Sequence, residues 1–192
     1  MKRLFIAVLF VSALTAAQAA EVAGVKLDDK LRLAPGGPEL VLNGAGIRTR
    51  TIFKVYVAGL YLPEKKGTTA DVLALAGPKR VAMTMLRDLG AQQLSEALAE
   101  GIRNNSSAVE QETLKARIEE LLAIMNSLGE AKKGDAILLD FLPASGTHIV
   151  VNGQPRGKPI TGDDFYRALL RIWLGDKPVD DDLKKGMLGQ AG

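Results

Sequence analysis

Residues 40–63, which read LVLNGAGIRTRTIFKVYVAGLYLP, contain the clearest structural signal in this chain. β-Branched and aromatic residues dominate the stretch, and Gly44 and Gly46 interrupt it. This pattern is typical of two strands, and it predicts one over residues 39–48, bent or bulged at the glycines, and another over 51–62. Polar groups lie within this apolar frame, so we expect any ligand to contact part of it: Arg48, Arg50, Lys54, Tyr56 and Tyr61.

The second of these strands is predicted to be central. Alternation along a strand gives it two faces, and both are largely apolar, which favours cover on both sides. The first face carries Lys54, Tyr56, Ala58 and Leu60, and the second carries Phe53, Val55, Val57, Gly59 and Tyr61. A buried Tyr56 needs a partner for its hydroxyl, and Arg48, a ligand held by Arg48, or a backbone group would serve.

The first residues predict export. Lys2 and Arg3 precede an apolar run over residues 4–16, and Ala17-Gln18-Ala19 is a small-x-small cleavage signal. This is the pattern of a secretory signal peptide, cleaved after Ala19 or, as a near alternative, after Ala20. The apolar run is shorter than the roughly 20 residues that span a membrane. We therefore expect a signal peptide over 1–19, a single periplasmic domain over 20–192, and no integral membrane segment after cleavage.

Composition excludes several classes of function. The chain has no cysteine, so it has no lipoprotein anchor, disulfide or thiol nucleophile. Lys and Arg number 25 against 22 Asp and Glu, and loss of Lys2 and Arg3 leaves a net charge of only +1. That balance gives no argument for a nucleic-acid partner.

The remaining elements alternate irregularly between strand and helix. A short edge hairpin is predicted over 22–33, with its turn at Asp28–Asp29, and Asn152–Gly153 predicts a tight hairpin turn before an edge strand at 154–160. Further strands are predicted over 79–86, 135–142 and 147–151. Helices are predicted over 69–76, 91–103 and 109–128. Two more helices are predicted, one from a cap at Thr161 or Asp163 to residue 174 and one from Asp180-Asp181-Asp182 to residue 188. This order predicts an α+β fold, a large, mainly antiparallel sheet with helices on one face.

The residues that could carry catalysis are sparse. His148 is the only histidine, no Gly-x-Ser-x-Gly surrounds a serine, and His148 is predicted to be a solvent-facing strand residue. One histidine without cysteine predicts no metal site, and Asp180-Asp181-Asp182 is better explained as a helix cap. Gly44-Ala45-Gly46 lacks the lysine and the helix of a phosphate loop, so no cofactor is expected.

Arg48 is the strongest candidate for ligand binding. An arginine on a rigid strand beside an apolar cleft can bind two oxygens of a carboxylate or a phenolate at once. The alternative is that Arg48 and Arg50 are solvated strand charges.

Several motifs resemble one family. Gly44-Ala45-Gly46-Ile47-Arg48, followed by Gly59-Leu60-Tyr61-Leu62, resembles the chalcone isomerase superfamily, and especially its exported bacterial branch. Met83-Thr84-Met85, Gln92-Gln93-Leu94-Ser95-Glu96 and the C-terminal Leu174-Gly175 extend the resemblance over residues 22–188. It implies an open-faced β-sandwich with a ligand cleft between sheet and helices.

The resemblance also bears on the site. Arg48 matches the catalytic arginine of the plant isomerases, whereas Tyr56 stands at their threonine, Leu94 at their tyrosine and Gly101 at their asparagine. Fatty-acid-binding relatives instead hold the ligand carboxylate with an arginine and a tyrosine, which Arg48 and Tyr56 resemble.

Three hypotheses follow, in order of preference. The first is non-catalytic binding of a small apolar acid, similar to a fatty acid, by Arg48 and Tyr56. The second is a structural or interaction module of the envelope whose cleft is filled by side chains. The third is an isomerase acting on a phenolic enone.

Overall fold

A seven-stranded antiparallel sheet forms the centre of the protein in the computed structural model, which describes residues 20–190. The strands are β1 (Ala20–Val22), β2 (Val25–Leu27), β3 (Lys30–Arg32), β4 (Glu39–Arg50), β5 (Phe53–Leu62), β6 (Lys79–Met85), β7 (Leu89–Gly90), β8 (Glu130–Ala131), β9 (Ala136–Leu142), β10 (Gly146–Val151) and β11 (Gln154–Ile160). The helices are α1 (Thr69–Ala74), α2 (Ala91–Asn104), α3 (Ala108–Asn126), α4 (Asp163–Leu174) and α5 (Asp181–Met187). The order in the large sheet is β11-β10-β9-β6-β5-β4-β3. The predicted α+β fold is confirmed.

Helices cover one face of this sheet. The apolar side of α4 is fully buried, and the hydroxyl of Tyr166 donates to the backbone oxygen of Leu139 on β9 at 3.0 Å. The Tyr166 ring also stacks on Phe141, with 5.0 Å between ring centres. α2 packs against α4, and α3 packs against α2 and reaches β11. The main hydrophobic core therefore lies between the sheet and α4.

A smaller core covers part of the other face. Leu27 of the β1–β2 hairpin packs with Leu40, Leu42, Val57 and Tyr61 of the central strands. β5 is thus buried on both sides along most of its length, as its two apolar faces predict.

The N-terminal hairpin differs from the prediction. β1 pairs with β2 through a turn at Ala23–Gly24, where φ is 50° and 80°, and not through Asp28–Asp29. Positive φ at both central positions is the geometry of a tight hairpin turn, and alanine is not a residue that typically indicates such a turn. Asp28–Asp29 instead connects β2 to β3, which pairs with β4 at the edge of the large sheet.

The helix caps agree in part with the prediction. The side chain of Asp180 accepts from the Leu183 N–H at 2.9 Å and caps α5, as predicted. The predicted cap of α4 at Thr161 or Asp163 is wrong, because the helix begins after Gly162, whose φ of 102° is easiest for glycine. Asn152–Gly153 turns β10 into the edge strand β11, as predicted.

Two predictions concern membranes. The signal peptide and its cleavage site after Ala19 lie outside the described residues. Within residues 20–190, no helix combines the length and the apolar character that crossing a membrane requires.

Candidate ligand-binding site

A pocket of about 250 Å³ lies between the turn end of the β4–β5 hairpin and the first turns of α2. The hairpin provides one wall, the segment after β6 provides a second, and α2 provides the third. Its lining residues are Arg48, Arg50, Thr51, Phe53, Val55, Arg87, Asp88, Leu89, Gln93 and Ala97. Arg48, the residue predicted to bind a ligand, therefore borders this pocket.

The guanidinium of Arg48 has unused hydrogen-bonding capacity. Its Nε is buried and has no acceptor. Among residues 20–190, no carboxylate oxygen lies within 4.0 Å of its nitrogens. A buried donor without a partner costs about 1–3 kcal/mol, so an acceptor in the pocket would relieve a real penalty.

Tyr56 lies directly opposite Arg48 in the β4–β5 pairing. Its ring centre is 5.8 Å from the guanidinium carbon, and only 2% of the residue is exposed. Its hydroxyl oxygen accepts a hydrogen bond from Trp173 Nε1 at 2.9 Å. The structure thus brings the two predicted residues together, but Tyr56 lies behind Arg48 and does not line the pocket.

The Tyr56 hydroxyl remains protonated at ordinary pH. Burial raises its pKa, and the charge of Arg48 and the Trp173 hydrogen bond oppose that shift only in part. A neutral hydroxyl that already accepts from Trp173 still has a proton to donate.

A bulge at Val55 shapes the pocket wall. Arg48 pairs with Tyr56 and Thr49 pairs with Lys54, so Val55 is an extra residue in β5. The predicted alternation is therefore wrong at this end, because an extra residue reverses which side chains face the helices. Phe53 and Val55 line the pocket, on the same side as the core residue Tyr56. A second bulge, at Asn43 of β4, corresponds to the irregularity predicted near the glycines.

The pocket is basic at its rim. It is lined by three arginines, Arg48, Arg50 and Arg87, against one acidic residue, Asp88. The guanidinium carbon of Arg87 lies 4.8 Å from the centre of the Phe53 ring. An oxygen of Asp88 accepts from the Lys133 N–H at 2.7 Å, so this carboxylate has a partner of its own.

Sequence reasoning missed Arg87 and Gln93 as pocket residues. Arg87 follows β6, and Gln93 is in the first turn of α2, so only the folded chain brings them to Arg48. Gln93 belongs to the paired-glutamine motif quoted above, which was the available signal.

Close packing fixes the strand that carries Arg48. A Cβ on Gly44 would lie 2.2 Å from the backbone oxygen of Gly186 in α5, so only glycine permits this approach. The second oxygen of Asp180 accepts from the Thr49 N–H at 2.8 Å. α5 therefore holds β4 immediately next to Arg48.

Two of the positions implied by the resemblance, Leu94 and Gly101, carry no polar side chain. Leu94 is 1% exposed and belongs to the main core. A Cβ on Gly101 would lie 2.8 Å from Cγ2 of Ile172, so α2 and α4 meet there too closely for an asparagine. The side chain of the nearby Asn105 is fully engaged, because it bonds the Gly101 oxygen and both backbone groups of Lys177.

His148 lies on the sheet face opposite the main core, as a solvent-facing residue would, but it is only partly exposed. It is half-buried, and its Nε2 lies 2.7 Å from Ser145 Oγ. Asp140 is opposite His148 in the sheet, but both of its carboxylate oxygens accept from Arg80, at 2.5 and 2.6 Å. Ser145 and His148 do not border the Arg48 pocket. Within residues 20–190, no group of three or more histidine or acidic side chains is arranged to hold a metal ion.

The profile of the chalcone isomerase-like family matches residues 19–189. The chain belongs to that family. Among solved structures, it is similar to the crystal structure of a fatty-acid binding protein from Arabidopsis thaliana, with a TM-score of 0.67 and 12% sequence identity. The match covers 89% of this chain and 96% of the plant chain, and at this identity it shows the shared fold. No curated protein sequence matches the chain.

Proposed function

We propose that this chalcone isomerase-like protein binds a small apolar acid, without catalysis, with the carboxylate held by Arg48. The observation that carries the proposal is the buried Arg48 Nε, which has no acceptor and belongs to a side chain that borders a pocket. A carboxylate in that pocket would accept from the guanidinium fork and supply the missing bond.

The walls of the pocket fit an acid with an apolar chain. Phe53, Val55 and Leu89 give it apolar surface, and the arginines at its rim favour an anion. Its volume of about 250 Å³ lies just below the ~300–1,000 Å³ of typical ligand pockets. We therefore expect short acids to fit entirely, and longer chains to extend through the open mouth.

Tyr56 has a supporting role in this proposal. Its ring lies 5.8 Å from the guanidinium carbon and its hydroxyl is anchored by Trp173, so it is placed to stabilise the position of Arg48. The plant protein that shares this fold binds fatty acids, which supports a ligand of that class.

Isomerase chemistry has less support. Two of the four positions at which the resemblance places catalytic groups carry none. Leu94 belongs to the hydrophobic core, and Ile172 leaves no space for a larger side chain at Gly101. General acid–base catalysis needs a polar group within reach of the reacting atoms, and neither residue supplies one. We expect no chalcone cyclisation above the background rate.

We also propose that the protein acts outside the cytoplasm, in the periplasm. The signal-like pattern of residues 1–19 supports export. The family match begins at residue 19, where the predicted cleavage site lies.

Native mass spectrometry tests the binding proposal. The delipidated domain should take up saturated carboxylic acids, and Arg48→Ala should lose that uptake. Arg156→Ala is the matched control, because Arg156 is an exposed arginine on the edge strand β11 and does not line the pocket. Undiminished uptake by a folded Arg48→Ala protein would overturn the proposal.

A second candidate is an interaction module of the envelope. It is favoured by the tight filling between sheet and helices, where Phe165, Tyr166 and Trp173 are completely buried. The same uptake measurement by native mass spectrometry distinguishes the two proposed functions, since a module of this kind should take up no acid of any chain length.

A further inference from the structure

The tip of the β4–β5 hairpin exposes two adjacent large apolar side chains. Ile52 is 80% exposed and Phe53 is 54% exposed. In residues 20–190, the only other large hydrophobic residue exposed to this degree is Val109 on α3. Adjacent exposed apolar side chains that are rimmed by polar residues are typical of interaction sites.

Cations surround this apolar pair. Arg50 and Lys54 flank it on the two strands, and Arg87 lies over the Phe53 ring; all three side chains are exposed. The chain after the predicted cleavage has a net charge of only +1, so these three cations are not explained by a generally basic chain. Arginine and lysine around exposed aromatic and aliphatic residues form the pattern of proteins that rest on anionic lipid surfaces.

From this juxtaposition we propose that the β4–β5 tip docks on an anionic phospholipid bilayer. Ile52 and Phe53 enter the boundary between headgroups and acyl chains. Arg50, Lys54 and Arg87 remain at the level of the phosphates. The occupant of this surface is thus a lipid bilayer, and not a second copy of the chain.

Docking in this orientation places the pocket at the membrane. Arg50, Thr51 and Phe53 belong both to the tip and to the lining of the pocket. An apolar acid is concentrated in a bilayer, so it could pass between the bilayer and the pocket without crossing water. This role as an entrance rests on the proposed function, whereas docking itself rests only on the exposed groups.

The tip is held in a defined shape. It is a two-residue turn, because Arg50 pairs with Phe53, and Thr51 has a φ of 60°. Positive φ is rare for a β-branched residue, and such conformations concentrate at functional sites.

Vesicle co-sedimentation of the delipidated domain tests the apolar contact. Binding should be seen with phosphatidylglycerol mixed into phosphatidylcholine and should be weak with phosphatidylcholine alone. Ile52→Ser should weaken binding about tenfold, because one large aliphatic side chain no longer enters the bilayer. Val109→Ser removes an equally exposed aliphatic residue elsewhere and should bind like the parent.

Two lysine variants test the electrostatic contact. Lys54→Gln should weaken binding about fivefold, the equivalent of about 1 kcal/mol per cation at an anionic surface. Lys158→Gln, an exposed lysine on β11, should have no effect. Added salt should weaken the binding of the parent protein.

Because the chain has no cysteine, a single introduced cysteine can report depth. An environment-sensitive dye on Ile52→Cys should shift to the blue with anionic vesicles, and the same dye on Val109→Cys should not. Absence of vesicle binding, equal loss in Ile52→Ser and Val109→Ser, or self-association through the tip without vesicles would overturn the docking proposal. Uptake of a free acid in solution, measured without vesicles, should be normal in Ile52→Ser. Absence of acid uptake by the parent protein would contradict the proposed function and not the docking proposal.

Discussion

Arg48 and Tyr56 face each other across β4 and β5 beside the extra residue Val55, and the Tyr56 hydroxyl accepts a hydrogen bond from Trp173 on α4. This arrangement links the sheet, the helical layer and the pocket at one point. Arg48 faces the hollow, whereas Tyr56 is buried behind it. We therefore expect the two residues to have different roles, and the variants below separate them.

Tyr56→Phe should destabilise the protein. The variant removes the acceptor of the buried Trp173 Nε1, and an unsatisfied buried donor costs about 1–3 kcal/mol. Urea unfolding followed by circular dichroism measures this loss. If the hydroxyl also stabilises Arg48, acid uptake by the folded variant should fall as well, but less than in Arg48→Ala.

Tyr166→Phe is the matched control for that variant. Tyr166 is also fully buried, it donates to the Leu139 oxygen on β9, and neither residue lines the pocket. It should lose stability of similar size and retain full acid uptake. Equal loss of uptake in both variants would mean that Tyr56 affects binding only through stability.

Gly101→Ala should destabilise the protein although alanine favours a helix. The new Cβ would lie 2.8 Å from Cγ2 and 3.1 Å from Cγ1 of Ile172, a branched side chain that cannot turn aside. Overpacking costs about 1–3 kcal/mol, which exceeds the roughly 0.5–1 kcal/mol gained from helix propensity.

A double variant identifies the cause. Ile172→Ala removes both γ carbons that the new Cβ would meet, so Gly101→Ala should cost less in that background than in the parent protein, and the two changes should not be additive. Gly67→Ala is the control, since a Cβ there would meet nothing within 4 Å. Stabilisation by Gly101→Ala alone would show that α2 can move away from α4.

Much of this architecture can be read from local patterns. The strands around Arg48 and Tyr56 follow from β-branched and aromatic residues, and Asn152–Gly153 defines its hairpin because both residues adopt positive φ. Each of these signals is confined to a few neighbouring residues, so the sequence alone contains it.

The pocket could not be read in the same way. The bulge at Val55 reverses the faces of β5, and no composition rule places the extra residue there. Trp173 bonds Tyr56 from 117 positions away, and Arg87 and Gln93 reach Arg48 only through the pairing of β5 with β6. Such long-range juxtapositions depend on how helices and sheet pack, which residue spacing does not encode.

Asp140→Asn should strongly destabilise the sheet. The Arg80 and Asp140 side chains are only 16% and 8% exposed, and they share two hydrogen bonds on neighbouring strands. Removing one partner leaves a largely buried charge without its counterion, at a cost of about 3–5 kcal/mol. Chemical denaturation measures it, and the exposed pair of Lys185 and Asp182 serves as control, because Asp182→Asn should cost less than about 1 kcal/mol.

Alkaline pH should unfold the protein before its tyrosines ionise in the folded state. Burial, followed by the charge of Asp28, raises the pKa of Tyr61 to about 12, and burial also raises the pKa of Tyr56 and Tyr166. Above pH about 10 the unfolded chain loses these protons while the folded chain keeps them, so the unfolded state binds fewer protons and stability falls as pH rises. The contribution is complete below pH about 10 and, for Tyr61, is lost as pH approaches about 12.

Urea midpoints measured along an alkaline series, with tyrosinate absorbance in parallel, should show this decline, and Tyr61→Phe should lessen it. Tyrosinate forming near pH 10 in a protein that remains folded would contradict it.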